Sequence, residues 1–233
     1  MSLDVPVLLQ KMAVNDWFAS LPLQLREAMV NRSMLLQLGS AELLFRQGES
    51  ARAWYGLVSG VVRLSSLRED GKEHIMSQME IGTWTGESAL IVDQPYLNNA
   101  TALGPVTALA LPRDAFNELM LNADFARAVA ELVTMRLRLL YKGLGSTSLH
   151  STRARIAQRL LLLARGDAAA RSDVKQQIPV SQEALAMMLG ITRQTLSAEL
   201  KILAGQGIIR LGYRCIEIIS EEALRLAGDA TKP

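Results

Sequence analysis

The chain has 233 residues, 49% of them hydrophobic and 21% charged, and its 25 Lys/Arg against 23 Asp/Glu give a formal net charge of +2. That length holds one large or two modest domains, each able to bury a core. One cysteine (Cys215) and two histidines far apart (His74, His150) exclude an internal disulfide and a cysteine-ligated zinc or iron–sulfur centre, and argue against a metal site built mainly on imidazole.

Taken from the start, MSLDVPVLLQKMAVNDW lacks the basic opening, sustained apolar core and cleavage site of a secretory signal, and no apolar run is long enough to span a membrane, so cytoplasm is the expected location. Residues 5–37 read as helical, with Pro22 opening a second helix. From about Ser40 to Leu111 the short runs AELLF, WYGLV, VVRLSSL, EHIMSQM, NATAL and TALAL are punctuated by Gly48, Gly60, Gly82, Gly86 and Gly104. Short strands at such spacing predict a β-sandwich or small barrel, and Asp70-Gly71 predicts a hairpin turn.

Pro112 and Asp114 open a short helix, RDAFNELM, and a long helical pattern follows from about Asn122 to Gly145. Along it, Ala126, Ala130, Val133, Leu137, Leu140 and Leu144 recur at heptad spacing, while Val129, Leu132 and Leu139 form a second apolar face. A helix apolar on two sides needs two partners. Its own barrel is one; the same helix of a second subunit is the expected other, with an intrachain core helix as the competing reading. Gly143, Gly145 and Ser146 are the expected hinge into the last domain.

The last domain opens with an amphipathic helix, STRARIAQRLLLLARG, whose Ile156, Leu160 and Leu163 lie on one side and whose Arg153, Arg155 and Arg159 are free to solvate the other. A polar connection, GDAAARSDVKQQI, leads to the most informative stretch, residues 180–204, VSQEALAMMLGITRQTLSAELKILA. Ala184, Leu185, Met188 and Leu189 share one face of a first helix, Gly190 turns the chain, Thr192 caps a second helix, and Leu196, Leu200 and Leu203 form that helix's buried stripe. Arg193, Gln194, Thr195 and Ser197 remain outside near its N-terminus, where a helix-turn-helix reads base edges in the major groove. Arg pairs bidentately with guanine and Gln with adenine. The bland alternative is a helical hairpin with a solvated polar face. Residues 207–219, GIIRLGYRCIEII, favour the DNA reading, because they predict two strands around a turn at Gly212-Tyr213, a wing whose Arg210 and Arg214 are placed to meet phosphates. Cys215 falls on the second wing strand, where a small buried hydrophobe is expected. Residues 148–233 hold 12 Lys/Arg against 8 Asp/Glu and residues 1–147 hold 13 against 15, so the basic surplus lies with this motif.

The order of β-barrel, long seam helix and winged helix-turn-helix, together with LFRQGE (44–49), LVSGVVRLS (57–65), GTWTGESAL (82–90), RIAQRLL (155–161) and the recognition segment, resembles the Crp/Fnr family of bacterial transcription regulators across nearly the whole chain. The resemblance implies an α+β fold: a cyclic-nucleotide-binding-like double-stranded β-helix (jelly roll), a dimerisation helix and a C-terminal winged helix-turn-helix. The corresponding division is 1–121 for the N-terminal helices and sensor barrel, 122–146 for the dimerisation helix and hinge, and 147–233 for the DNA-binding domain. It also implies a homodimer on a two-fold symmetric double-stranded operator, with recognition helices one DNA turn apart.

The resemblance places the effector site at Gly86, Glu87, Ser88, Asn98, Asn99, Leu140 and Tyr141; Arg136, one helical turn before Leu140, is positioned either to meet an anion there or to pair with a carboxylate. In cyclic-AMP-binding members a Gly-Glu pair holds the ribose, and here Gly86 and Glu87 remain. The Arg-Ser pair that clamps the phosphate falls near Asn98-Asn99, which carry no charge, and the Thr-Ser pair that meets adenine falls on Leu140-Tyr141. Tight binding of cyclic AMP is therefore not expected. An iron–sulfur sensor is excluded by the single cysteine, and haem would have to use His74 or His150, each expected on a surface or linker. An apolar or aromatic effector in a pocket lined by Trp84, Tyr96, Leu140 and Tyr141 stands level with a collapsed, ligand-free pocket. On the DNA side the family's base-reading positions fall on Arg193, Gln194, Ser197 and Ala198, and Ser181, Gln182, Thr195 and Lys201 are expected at phosphates. Residues 167–177 occupy the place where activating members touch RNA polymerase. Two other classes compete: a cupin-like enzyme, for which the barrel stretch offers only His74 and no nucleophile elbow around Ser88, and a winged-helix module that binds protein.

Overall fold

The computed structural model describes residues 4–67, 73–149, 151–166 and 174–229, with side chains of 142–149 excepted. Three short helices lead: α1 (Val5–Met12), α2 (Asp16–Ser20) and α3 (Leu23–Asn31). Asp4 and Asn15 cap the first two by accepting from Val7 and Phe18 N–H groups. Eight strands and a helical turn follow: β1 (Met34–Leu38), β2 (Leu43–Phe45), β3 (Ala53–Ser59), β4 (Val62–Leu67), β5 (Glu73–Met79), β6 (Trp84–Thr85), α4 (Glu87–Ile91), β7 (Asn99–Ala102) and β8 (Val106–Pro112). They form two antiparallel four-stranded sheets, ordered β1-β8-β3-β6 and β2-β7-β4-β5. The expected helical reading of 5–37 therefore stops at Asn31, and MLLQL at 34–38 is a strand paired to β8. Asp70-Gly71 lies outside the described residues, although the strands it would join, β4 and β5, do pair antiparallel.

The sensor core is aromatic. Trp54 contacts Trp17, Trp84, Phe116 and Phe125, with ring centroids 4.9–6.0 Å apart. Trp17 Nε1 also donates to the Ala128 carbonyl at 2.8 Å. These contacts tie the leading helices and the sheets to α5 (Arg113–Met120) and α6 (Ala123–Leu149). Phe125, Val129 and Leu132 of α6 are buried against this core, whereas Ala130 and Leu137 are exposed and Val133 is half-buried. Gly143, Gly145 and Ser146, the expected hinge, lie within α6, which continues to Leu149. His150 lies outside the described residues.

The second core belongs to the C-terminal unit: α7 (Thr152–Ala164), β9 (Gln177–Ile178), α8 (Gln182–Leu189), α9 (Arg193–Gly205), β10 (Ile209–Gly212), β11 (Cys215–Ile218) and α10 (Glu221–Asp229). Ile156, Leu160, Leu185, Leu196, Leu200, Leu203, Ile209, Ile216 and Leu224 enclose it. β9 adds a third strand to the wing, and α10, which the hydrophobic pattern left unassigned, packs on α7.

The two units touch. α8 packs on β5, Arg159 of α7 donates to the Met76 carbonyl of β5 at 2.8 Å, and Lys175 pairs with Glu80 just after β5. No helix among the described residues is long and apolar enough to cross a membrane.

Candidate nucleic-acid interface and effector site

The helix-turn-helix is built by its caps. Ser181 Oγ accepts from the Ala184 N–H at 3.1 Å and starts α8. Gly190 ends it at φ +65°, a left-handed turn that glycine adopts without strain. Thr192 Oγ1 accepts from the Thr195 N–H at 3.1 Å and starts α9. Leu196, Leu200 and Leu203 are buried as the pattern predicts. In α8 the buried pair is Leu185 and Ala186, while Ala184, Met188 and Leu189 are half-buried, because this helix divides its apolar surface between its own core and β5.

Anchored in this way, α9 leaves Arg193, Gln194, Thr195, Ala198 and Lys201 exposed and Ser197 half-buried. Thr192, Arg193, Gln194, Ser197, Ala198 and Lys201 line one open groove of about 850 Å³. Ser181 and Gln182 stand at the N-terminus of α8, where the backbone N–H groups favour an anion. Ser181 Oγ is used as an acceptor by its cap, which leaves its hydroxyl proton to donate.

Several cations of this unit are engaged within it. Arg153 pairs with Glu199 at 2.7 Å and Arg165 with Glu221 at 3.2 Å. Arg155 donates to the Leu189 carbonyl at 2.7 Å. The arginines of α7, expected to be solvated, are thus structural. Arg210 is also engaged, with Glu217 at 2.7 Å. The wing turn explains this: Gly212 pairs with Cys215, so the turn residues are Tyr213 and Arg214 rather than Gly212-Tyr213, and Arg210 faces Glu217 across the ribbon. Arg193, Lys201 and Arg214 have no ion-pair or hydrogen-bond partner among the described residues, and all three are exposed. Cys215, expected buried, is half-buried.

The positions expected to hold an effector present the opposite picture. Gly86 adopts φ +99° ahead of α4, and a Cβ there would lie 3.2 Å from the Ala53 carbonyl oxygen and 3.3 Å from the Tyr96 ring, so only glycine fits. The next residue, Glu87, is buried with both oxygens occupied: Oε1 accepts from Arg136 Nη1 at 2.5 Å and Oε2 from Trp54 Nε1 at 3.2 Å. Arg136 Nη2 donates to the Trp84 carbonyl. One arginine of the long helix therefore ties α4 and β6 to α6.

The remaining effector positions are spread out. Asn99 Oδ1 accepts from the Gln47 N–H at 2.9 Å, and Asn98 Nδ2 reaches the Met76 sulfur at 3.7 Å. Ser88 is exposed, as are Leu140 and Tyr141 on the outer side of α6. Trp84 and Tyr96 are buried in separate clusters: Trp84 packs on Phe18 and Trp54, and Tyr96 stacks on Phe45 at 4.2 Å. The four aromatic and aliphatic residues expected to line one pocket therefore do not share one. Beside Tyr96, burial and the neighbouring phenol push the Tyr55 hydroxyl above its usual pKa range. His74 is exposed on β5. Most of 167–177 lies outside the described residues.

The fold and this site define a class: a cyclic-nucleotide-binding-type β-roll joined by a long helix to a winged helix-turn-helix. The cyclic nucleotide-binding domain family matches residues 35–123, and the Crp-like helix-turn-helix domain family matches residues 154–227. The chain is 30% identical over 176 residues to the cyclic AMP receptor protein of Thermus thermophilus, covering 75% of this chain and 79% of that protein. A CRP-family transcriptional regulator from the same organism superposes with a TM-score of 0.65 at 25% identity, over 84% of this chain and 97% of that one. FixK2 from Bradyrhizobium japonicum shares the fold, with a TM-score of 0.70 at 21% identity over 85% of this chain and 98% of that one. The chain belongs to the Crp/Fnr family and is a Crp-like transcription regulator.

Proposed function

We propose that the protein acts as a homodimer that reads a two-fold symmetric operator through paired α9 helices, and that it does not use cyclic AMP as its effector. The observation that carries the DNA reading is the grouping of open cations: Arg193 and Lys201 line one groove, and Arg193 and Arg214 line the next. Structural arginines have partners, while Arg193, Lys201 and Arg214 hold charge open on one face. A polyanion is the ligand that such a face suits. Support for the dimer comes from α6, whose inner stripe is buried while Leu137 and Leu140 on the heptad seam remain 47% and 63% exposed.

The effector reading rests on Glu87. The relative from Thermus thermophilus is named for cyclic AMP, but in this chain the acidic position is already occupied by Arg136 and Trp54, and Asn98-Asn99 bring no charge to a phosphate. The packed surroundings of Trp84 and Tyr96 favour, as the second reading, a regulator of the same fold that works without ligand. If an effector acts, it must bind one arrangement of the two units better than another. The contacts it has to shift are Arg159 with Met76 and Lys175 with Glu80.

Light scattering should give the mass of a dimer. Selection from a random duplex pool should enrich a palindrome whose half-sites are one helical turn apart, and calorimetry with micromolar cyclic AMP should show no saturable heat. A single-chain mass in the presence of the enriched duplex would overturn the dimer, and saturable heat would overturn the effector reading.

A further inference from the structure

We propose that the sensor domain holds its effector on the outer side of the Phe45, Tyr55 and Tyr96 cluster rather than at Glu87, and that this ligand is a free aromatic α-amino acid. The inference deepens the proposed reading, in which cyclic AMP is not the effector, and rests on it.

The connection between β2 and β3 builds the site. The Gly48 N–H donates to the Tyr96 carbonyl and the Tyr96 N–H to the Glu49 carbonyl, each at 2.9 Å. The Tyr96 hydroxyl accepts from the Arg52 N–H at 3.1 Å and donates to the Ala53 carbonyl at 2.9 Å. These bonds fix the connection against Tyr96 and leave a recess of about 390 Å³ in front of the rings. Phe45 stacks on Tyr96 at 4.2 Å and on Tyr55 at 5.6 Å, so three aromatic rings form the floor. The volume falls within the range of small-molecule sites, about 300–1,000 Å³.

The rim carries both signs of charge. Glu49, Ser50 and Arg52 line the recess and are exposed. The Arg52 guanidinium has no ion-pair or hydrogen-bond partner among the described residues. Glu49 meets Arg46 only at 3.8 Å, with both side chains more than half exposed, a contact too loose to neutralise it. Arg52 and Glu49 act on the Tyr55 hydroxyl with opposite sign, so both charges face the same floor, and burial keeps that phenol protonated and the floor neutral. A simple anion is opposed by Glu49, a simple cation by Arg52, and a neutral ring leaves both unanswered. A zwitterion answers both, with its carboxylate on the Arg52 fork and its ammonium on Glu49. An α-amino acid carries these two charges on one carbon, and an aromatic side chain stacks on Tyr55, the most open of the three rings at 9% exposure.

The floor also reaches the dimer helix. A Cβ on Gly86 would lie 3.3 Å from the Tyr96 ring and 3.8 Å from Tyr55, so Gly86 packs directly on these rings. Gly86 leads α4, whose Glu87 pairs with Arg136 of α6. A ligand that shifts the rings therefore moves α4, and through the ion pair α6, without having to displace Arg136.

The test is calorimetry on the full-length protein with L-phenylalanine, L-tyrosine and L-tryptophan, beside 3-phenylpropionate, phenethylamine and glycine, which lack the ammonium, the carboxylate and the ring. At least one aromatic amino acid is expected to give saturable heat, and loss of any of the three groups to weaken binding at least about tenfold, the equivalent of one charge-assisted hydrogen bond. Arg52→Gln and Glu49→Gln, both at exposed positions and with unchanged melting temperatures, should weaken the same amino acid by about as much. Saturating amino acid should change the operator affinity of the wild type by at least about fivefold, the low end of allosteric coupling. No heat with any of the three, heat undiminished in both variants, 3-phenylpropionate binding as tightly as the amino acid, or an unchanged operator affinity would overturn the proposal, and the dimer, the operator and the exclusion of cyclic AMP would stand. Saturable heat with cyclic AMP would instead overturn the reading on which this one rests.

Discussion

Two sets of side chains stand out in this chain, one around Glu87 and one along α9, and the structure treats them in opposite ways. Around Glu87 the carboxylate is already answered from within by Arg136 and Trp54, and the second guanidinium nitrogen by the Trp84 carbonyl, while Arg136 Nε and Trp84 Nε1 are buried without a partner. Along α9 and the wing, Arg193, Lys201 and Arg214 are answered by nothing among the described residues. Binding energy is available where a charge is still unanswered. A surface charge keeps its hydration until a polyanion replaces it, so its cost of display is low. A buried carboxylate cannot wait in that way, because its desolvation has to be compensated in the resting fold. Any effector at Glu87 must therefore compete with Arg136, whereas DNA at α9 competes only with water and counterions.

The sharpest break of this comparison is to remove one member of the inner pair. Arg136→Ala leaves the buried Glu87 carboxylate with only the Trp54 donor. The expected loss of sensor-domain stability is about 3 kcal/mol, the low end for an orphaned buried charge because Arg136 itself keeps some solvent contact. Urea unfolding followed by tryptophan fluorescence reads it directly, since Trp54 and Trp84 surround the pair. The double variant Arg136→Met with Glu87→Gln should recover much of the loss. A wild-type-like midpoint for Arg136→Ala would show that the pair is dispensable and that Glu87 is open to a ligand after all.

On the outer set, Arg193→Ala is expected to cost roughly 1–3 kcal/mol on the enriched operator and to relax specificity at one base position. Lys201→Ala should weaken all duplexes alike and reduce the salt slope by about 1. Fluorescence anisotropy on operator and scrambled duplexes, at two salt concentrations, separates the two. Identical sequence-independent losses would mean that α9 holds the backbone without reading bases.

The same contrast explains what the sequence made legible. The recognition helix was readable because its information is local: Ser181 and Thr192 cap, Gly190 turns, and Leu196, Leu200 and Leu203 repeat at helical spacing. The buried stripe of α6, Val129 and Leu132, was readable for the same reason. MLLQL at 34–38 was not, since Leu, Met and Gln favour helix and only pairing with β8 makes it a strand. Nor was the partner of Glu87, because Arg136 lies 49 residues away and their meeting depends on how α6 docks. The fate of the α7 arginines was hidden likewise, their acceptors lying on α8, α9 and β5. Only the wing was nearly within reach: a turn placed one residue later puts Arg210 opposite Glu217 instead of leaving it for phosphate.

That one-residue shift yields the smallest effect and the finest test. Arg210 is 70% exposed, so its pair with Glu217 contributes less than about 1 kcal/mol to stability. Arg210→Ala should change operator affinity by no more than about 0.5 kcal/mol, as for a surface substitution away from a contact, and should leave the salt slope unaltered. Glu217→Gln is the complementary change, because it releases a guanidinium on the ribbon without adding one. If Arg210 then becomes available, affinity for all duplexes should rise slightly and the salt slope should steepen. Should Arg210→Ala instead lose as much binding as Lys201→Ala, the ion pair must open when DNA arrives, and charge on the wing would not be confined to its tip.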